Sequence, residues 1–116
     1  MVQVLHQQGE VWLALVVFTD GQGSKRRPVL VVQDFGDQDL LVVPITSQPA
    51  RTESDVPLAD WKVAGLRLPS TVRTEKLGTI EKSCAERRLG SLARSDLALV
   101  RQALESVFER ILDHHV

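Results

Sequence analysis

The sequence predicts a mainly β domain of the α+β class, a small antiparallel β-barrel packed against a C-terminal helix. Three observations carry this expectation. Apolar runs of five to eight residues, rich in Val, Leu and Ile, occupy the first half of the chain. Turn-prone stretches separate them, as in an antiparallel meander. Near the end, apolar residues fall at the three-and-four spacing of an amphipathic helix.

The first three strands are read at Val11 to Phe18, Pro28 to Val32 and Leu40 to Ile45. Asp20-Gly21-Gln22-Gly23-Ser24 and the stretch Asp34 to Asp39 turn the chain between them. Near-continuous apolarity, in place of alternation, implies that both faces of the sheet are covered, as in a tightly curled barrel against a helix. Asp55-Val56-Pro57-Leu58 reads as a short edge strand, where proline is tolerated. Asp60 to Gly65 reads as one helical turn, with Asp60 as cap and Gly65 as terminator. Ser70 to Thr74 and Lys76 to Glu81 are two further strands. The final helix carries Leu97, Val100, Leu104, Val107, Phe108 and Ile111 on one stripe, with Gln102, Glu105, Glu109 and Arg110 opposite. Ser95 is its N-cap, and Asp96 suits the positive end of the dipole. Residues 1–116 form a single domain, long enough to bury a core without staples.

An apolar fraction of 43% with 25% charged residues is ordinary for a globular domain. No apolar run approaches the roughly 20 residues of a membrane span. The opening residues lack a signal peptide's basic and apolar regions, so the expected location is cytoplasmic. Cys84, the single cysteine, excludes an internal disulfide. His6, His114 and His115 all lie near the ends, so neither a thiol–histidine pair nor a metal-ligand cluster is expected, and no cofactor is implied. The net charge of −1 means that nucleic acid would have to bind a local patch.

One such patch is Ser24-Lys25-Arg26-Arg27-Pro28, three successive cations at the mouth of the second strand. It fits a solvated basic hairpin loop, and it equally fits a phosphate clamp, because the guanidinium fork matches two phosphate oxygens. The second is Pro44-Ile45-Thr46-Ser47-Gln48-Pro49, two hydroxyls and an amide at a strand end. It fits a hydroxyl-supported turn or a set of neutral hydrogen-bonding groups for a phosphate or base. If strands two and three pair, Arg27 and Thr46 face one another.

Gly9-Glu10-Val11-Trp12, Arg27 to Val32, Val43-Pro44-Ile45-Thr46-Ser47-Gln48, Gly65 to Ser70, Val72 to Leu77 and Thr79-Ile80-Glu81-Lys82 together resemble the MazF/PemK toxins in order and spacing. The resemblance covers nearly the whole chain. It implies an SH3-like barrel, a homodimer, and sequence-specific, metal-independent cleavage of single-stranded RNA by a toxin restrained by a cognate antitoxin. It further implies that Arg27 and Thr46 are catalytic, with Glu75 as a candidate substrate contact; Lys25, Arg26, Ser47 and Gln48 of the two patches are the other candidate substrate contacts. Gly78 departs from the pattern, which commonly has a larger side chain there.

Such cleavage uses the neighbouring 2′-hydroxyl as nucleophile, so the protein need only position the phosphate and stabilise its growing charge. Arg27 suits that task, while its pKa above ~12 makes it a poor proton acceptor. Glu75 and water are both candidates for removing the 2′ proton. The rival readings are a non-catalytic CcdB-like gyrase poison and an inactive interaction domain on the same fold.

Overall fold

A computed structural model describes residues 5–17 and 23–113. Seven strands precede one long helix: β1 (Glu10–Val17), β2 (Ser24–Asp34), β3 (Asp39–Thr46), β4 (Asp55–Pro57), β5 (Thr71–Arg73), β6 (Gly78–Glu81), β7 (Ala85–Ser91) and α1 (Arg94–Leu112). All pairings are antiparallel, in the order β4-β5-β3-β2-β1-β7, with β6 also on β3. No helix among the described residues is long and apolar enough to cross a membrane.

The apolar runs do bury both faces of the sheet. Leu30 and Val32 join Val11, Val43, Ile45, Val56 and Val72 in a core packed against Val100 and Leu104 of α1. The alternate residues Val29 and Val31 join Ala14, Leu40 and Val42 on the opposite face, bordered by Trp12, Val16, Ile80 and Ala85. Each fully buried Val, Leu or Ile among them contributes about 1.5–3 kcal/mol by leaving water. That double burial is why β2 and β3 read as continuous runs.

β3 changes partner along its length. Asp39 to Val42 pair with β6, whereas Ile45 and Thr46 pair with β5. The break falls at Val43 and Pro44, and the proline has no N–H to donate. Between β5 and β6 the chain leaves the sheet in a 3₁₀ turn, Thr74–Lys76. The buried Thr74 hydroxyl donates to the Ser54 carbonyl at 2.7 Å.

Several expectations need correction. The barrel is not closed by strand pairing, because β4 and β7, at the two ends of the order, share no ladder among the described residues. The 60–65 turn meets β7 instead. Gly65, at φ +83°, ends that turn as expected, and a Cβ there would lie 1.9 Å from the Leu89 carbonyl oxygen. The basic segment is strand, not turn: Ser24 to Arg27 pair with Ala14 to Val17. The strand read at Val11 to Phe18 starts one residue earlier, and Phe18 and the turn residues 20–22 lie outside the described residues, as do His114 and His115. β7 was not read as a strand at all, since Ala85–Ser91 is charged and carries no buried residue.

The helix starts earlier than Ser95, with Ala93 as N-cap and no side-chain capping bond. Asp96 is buried and accepts from the Ala59 and Asp60 N–H groups at 3.1 and 2.9 Å, tying the loop after β4 to α1. Asp60 therefore receives a cap and does not supply one. Phe108 and Ile111 continue the apolar stripe but are 42% and 61% exposed, because α1 outruns the sheet.

Candidate functional site

β2 and β3 pair through Val29↔Pro44, Leu30↔Val43 and Val31↔Val42. Continuing that register by two residues sets Arg27 opposite Thr46. Alternation places both on the face of Val29 and Val42, since Leu30 and Val43 point into the core beneath α1. On the other flank of Arg27 lies Ala14, fully buried. On the other flank of Thr46 lies Thr71. One row across the sheet therefore reads Thr71, Thr46, Arg27, Ala14.

The three cations differ sharply. Arg26 points to the other face, where its Nε donates to Glu86 Oε1 at 2.6 Å. Arg27 is exposed and makes no hydrogen bond or ion pair among the described residues. Lys25 is exposed and lies opposite Val16, on the Arg27 face. Thr46 is half-buried, and its Oγ1 accepts the Gln48 N–H at 3.1 Å, the hydroxyl-supported turn read from the sequence. Ser47 and Gln48 follow it, both exposed.

Glu75 is not drawn into this row. It sits on the 3₁₀ turn, where Oε1 accepts from Arg110 Nη2 of α1 at 3.2 Å. The same Arg110 nitrogen donates to Ser54 Oγ at 2.6 Å. A groove of about 860 Å³ runs between β4 and α1 past Val56, Leu99, Glu109 and Arg110, and contains neither Arg27 nor Thr46. In that row Arg27 is exposed and Thr46 half-buried, between the buried Ala14 and Thr71, so the two are reachable from solvent at the margin of the buried face.

The far end of β2 is fixed by Asp34, whose side chain is 1% exposed. It accepts from Lys82 Nζ at 2.9 Å and from the His6 and Gly36 N–H groups at 2.8 Å. Burial alone would raise its pKa, but these donors together hold it well below the ordinary carboxylate range.

Arg73 was not singled out in the sequence. Val72 is in the core, so its neighbours Thr71 and Arg73 lie on the opposite face, the one that carries Thr46. The alternation Thr-Val-Arg held that signal, but it could be used only once β5 was placed beside β3. Among the described residues no group of three or more His, Cys, Asp or Glu is arranged to hold a metal.

Comparison with known proteins gives a consistent result. The family described as "PemK-like, MazF-like toxin of type II toxin-antitoxin system" matches residues 7–108. A curated relative from Mycolicibacterium smegmatis, "Probable endoribonuclease MazF", is 31% identical over 70% of this chain and 78% of its own. Among solved structures, the Mycobacterium tuberculosis toxin MazF-mt6 superposes with a TM-score of 0.71 at 26% identity, covering 86% of this chain and 96% of that one. The Deinococcus radiodurans MazE-MazF crystal structure (Form-III) gives 0.71 at 23% identity, covering 91% and 98%, and shows likeness of fold.

Proposed function

Because this chain belongs to the family of PemK-like, MazF-like toxins of type II toxin–antitoxin systems, we propose that it is a sequence-specific endoribonuclease that cuts single-stranded RNA without a metal ion. The observation that carries this reading is the exposed Arg27 guanidinium, unpaired among the described residues, which the β2–β3 register sets across from the half-buried Thr46. The 2′-oxygen forms a bond to the adjacent phosphorus while the bond to the 5′-oxygen breaks. The 2′ proton passes to a base and the 5′-oxygen gains one. Products are a 2′,3′-cyclic phosphate and a 5′-hydroxyl.

Arg27 faces the phosphate and meets the charge that builds on its non-bridging oxygens; one well-placed donor of this kind is worth about 3–4 kcal/mol. Thr46 orients a phosphate oxygen or the attacking hydroxyl, with its own turn bond to Gln48 holding the side chain in place. Lys25, Ser47 and Gln48 extend the contact to neighbouring nucleotides, whereas Arg26, on the opposite face and paired with Glu86, stays outside that set. Glu75 is engaged by Arg110 through Oε1, and water stands beside it as a candidate for the group that takes the 2′ proton.

The protein acts as a homodimer restrained by a cognate antitoxin. Phe108, Ile111 and Leu112, exposed together at the end of α1, supply apolar surface that a second copy would cover. An antitoxin segment covering the Arg27 face would carry acidic residues among apolar anchors. The test is cleavage of a mixed-sequence RNA in excess chelator, with the fragment ends mapped. Loss of cutting in EDTA, or products with 5′-phosphates, would refute the mechanism.

A further inference from the structure

On the premise that this face binds RNA for cleavage, we propose that Arg73 holds the phosphate next to the scissile one. The β3–β5 ladder, Ile45↔Val72 and Thr46↔Thr71, continued by one residue sets Arg73 beside Pro44, which is itself paired with Val29. A second row thus reads Arg73, Pro44, Val29, Trp12, parallel to Thr71, Thr46, Arg27, Ala14. The two rows are two residues apart along each strand, about 6.6 Å. That is the scale of the step between successive phosphates of an extended strand.

Arg73 is half-buried and makes no hydrogen bond or ion pair among the described residues. Its cross-strand neighbour Asp55 makes no ion pair with it; Asp55 Oδ2 accepts the Arg51 and Thr52 N–H groups at 2.8 and 3.3 Å. A partly desolvated guanidinium without a partner is unfavourable, and a phosphate would remove that cost. The approach is open. The chain turns away into the 3₁₀ turn directly after Arg73 and rejoins β3 at Gly78, where an added Cβ would meet nothing within 4 Å. Pro44 and Val29 leave an apolar floor between Arg73 and the rest of the sheet, with no carboxylate to repel an anion from that side.

The test compares the full-length wild-type protein with Arg73→Ala, Arg73→Gln and Arg73→Lys on one cleavable RNA, each variant checked for a wild-type thermal midpoint. Arg73→Gln replaces Arg73→Ala if the latter melts early. The neutral variants should weaken binding and raise KM by roughly 10- to 100-fold, the range for a lost hydrogen bond to a charged group, with kcat nearly unchanged. Their log–log salt slope should fall by about 0.7, one phosphate's worth on a single strand. Arg73→Lys should restore the slope but only part of the affinity.

RNAs carrying one uncharged methylphosphonate on either side of the cut give the decisive arm. At one of these positions the wild type should lose as much as Arg73→Ala does, and the variant should lose nothing more. Wild-type cleavage with additive losses and an unchanged slope would overturn the assignment of Arg73 and leave the ribonuclease reading standing. A changed cleavage motif with an unchanged slope would overturn it in favour of base contact. A wild type that neither binds nor cuts RNA in chelator would overturn both.

Discussion

The Arg26 guanidinium donates to the Glu86 carboxylate at 2.6 Å on the sheet face that also carries Leu30, while Arg27, one residue on, projects to the other side with no partner among the described residues. Two adjacent arginines are thereby given different tasks by strand alternation alone. The exposed Arg26–Glu86 pair adds at most about 1 kcal/mol to stability.

Arg27→Ala should lower the single-turnover cleavage rate by roughly 10²–10³-fold, and Arg27→Lys should recover only part of it. Lys25→Ala should weaken RNA binding and leave the single-turnover rate nearly intact, whereas Arg26→Ala, on the opposite face, should change neither by much. Full activity in a correctly folded Arg27→Ala protein would show that the cleavage site lies elsewhere.

Thr46→Ala should resemble Arg27→Ala in rate and also lose the bond to the Gln48 N–H, a loss of about 1 kcal/mol in folding stability. Thr46→Ser keeps the hydroxyl and should be milder on both counts. Urea melts beside rate measurements separate the two effects. A Thr46→Ala protein that loses stability but not rate would leave Thr46 a turn residue only.

Asp34 makes stability pH-dependent. Its folded-state pKa is depressed, so its contribution is present above the unfolded value, about 3.9, and is lost as pH falls from there towards the folded value. Urea midpoints should fall steeply below about pH 4 in the wild type. Asp34→Asn should be less stable at neutral pH by about 3 kcal/mol, because it leaves Lys82 without its carboxylate, and its midpoint should vary less with acid. Equal acid sensitivity in the two proteins would contradict this.

Gly65→Ala should be severely destabilising, since the new Cβ meets the Leu89 carbonyl and the backbone sits at φ +83°. Gly36→Ala shares the positive φ but meets nothing within 4 Å, and should cost only about 1 kcal/mol. Equal midpoints for the two variants would show that the seam between the 60–65 turn and β7 is soft.

What was legible in the sequence followed from periodicity. β2, β3 and α1 bury so much apolar surface that their patterns stand out, and Gly65 announces its turn by being glycine. β7 is not legible because none of its residues is fully buried, only Ala85 and Leu89 touch the core, and it is held by β1 through shifted register. The N-terminal half of β2 resembles a turn in its cations and nearby glycine, whereas pairing with β1 decides its structure. Arg27 and Thr46 were found from local composition and resemblance. Arg73 depends on a contact between strands 27 residues apart in sequence, Ile45 and Val72, which no local pattern encodes.

Double burial of Val29 to Val32 has one more consequence. When both faces of a strand are apolar, sliding it by a single position still leaves hydrophobic groups inside, so the core cannot fix its own alignment. The polar groups at the strand's two ends must do so: Asp34 against Lys82 and His6 at one, Arg26 against Glu86 at the other. A slip of one place would turn Arg27 to the wrong side of the sheet. The buried carboxylate at the distant end of β2 thus acts as an index mark for the chemistry, and its loss should blunt cleavage even in the fraction of molecules that remain folded.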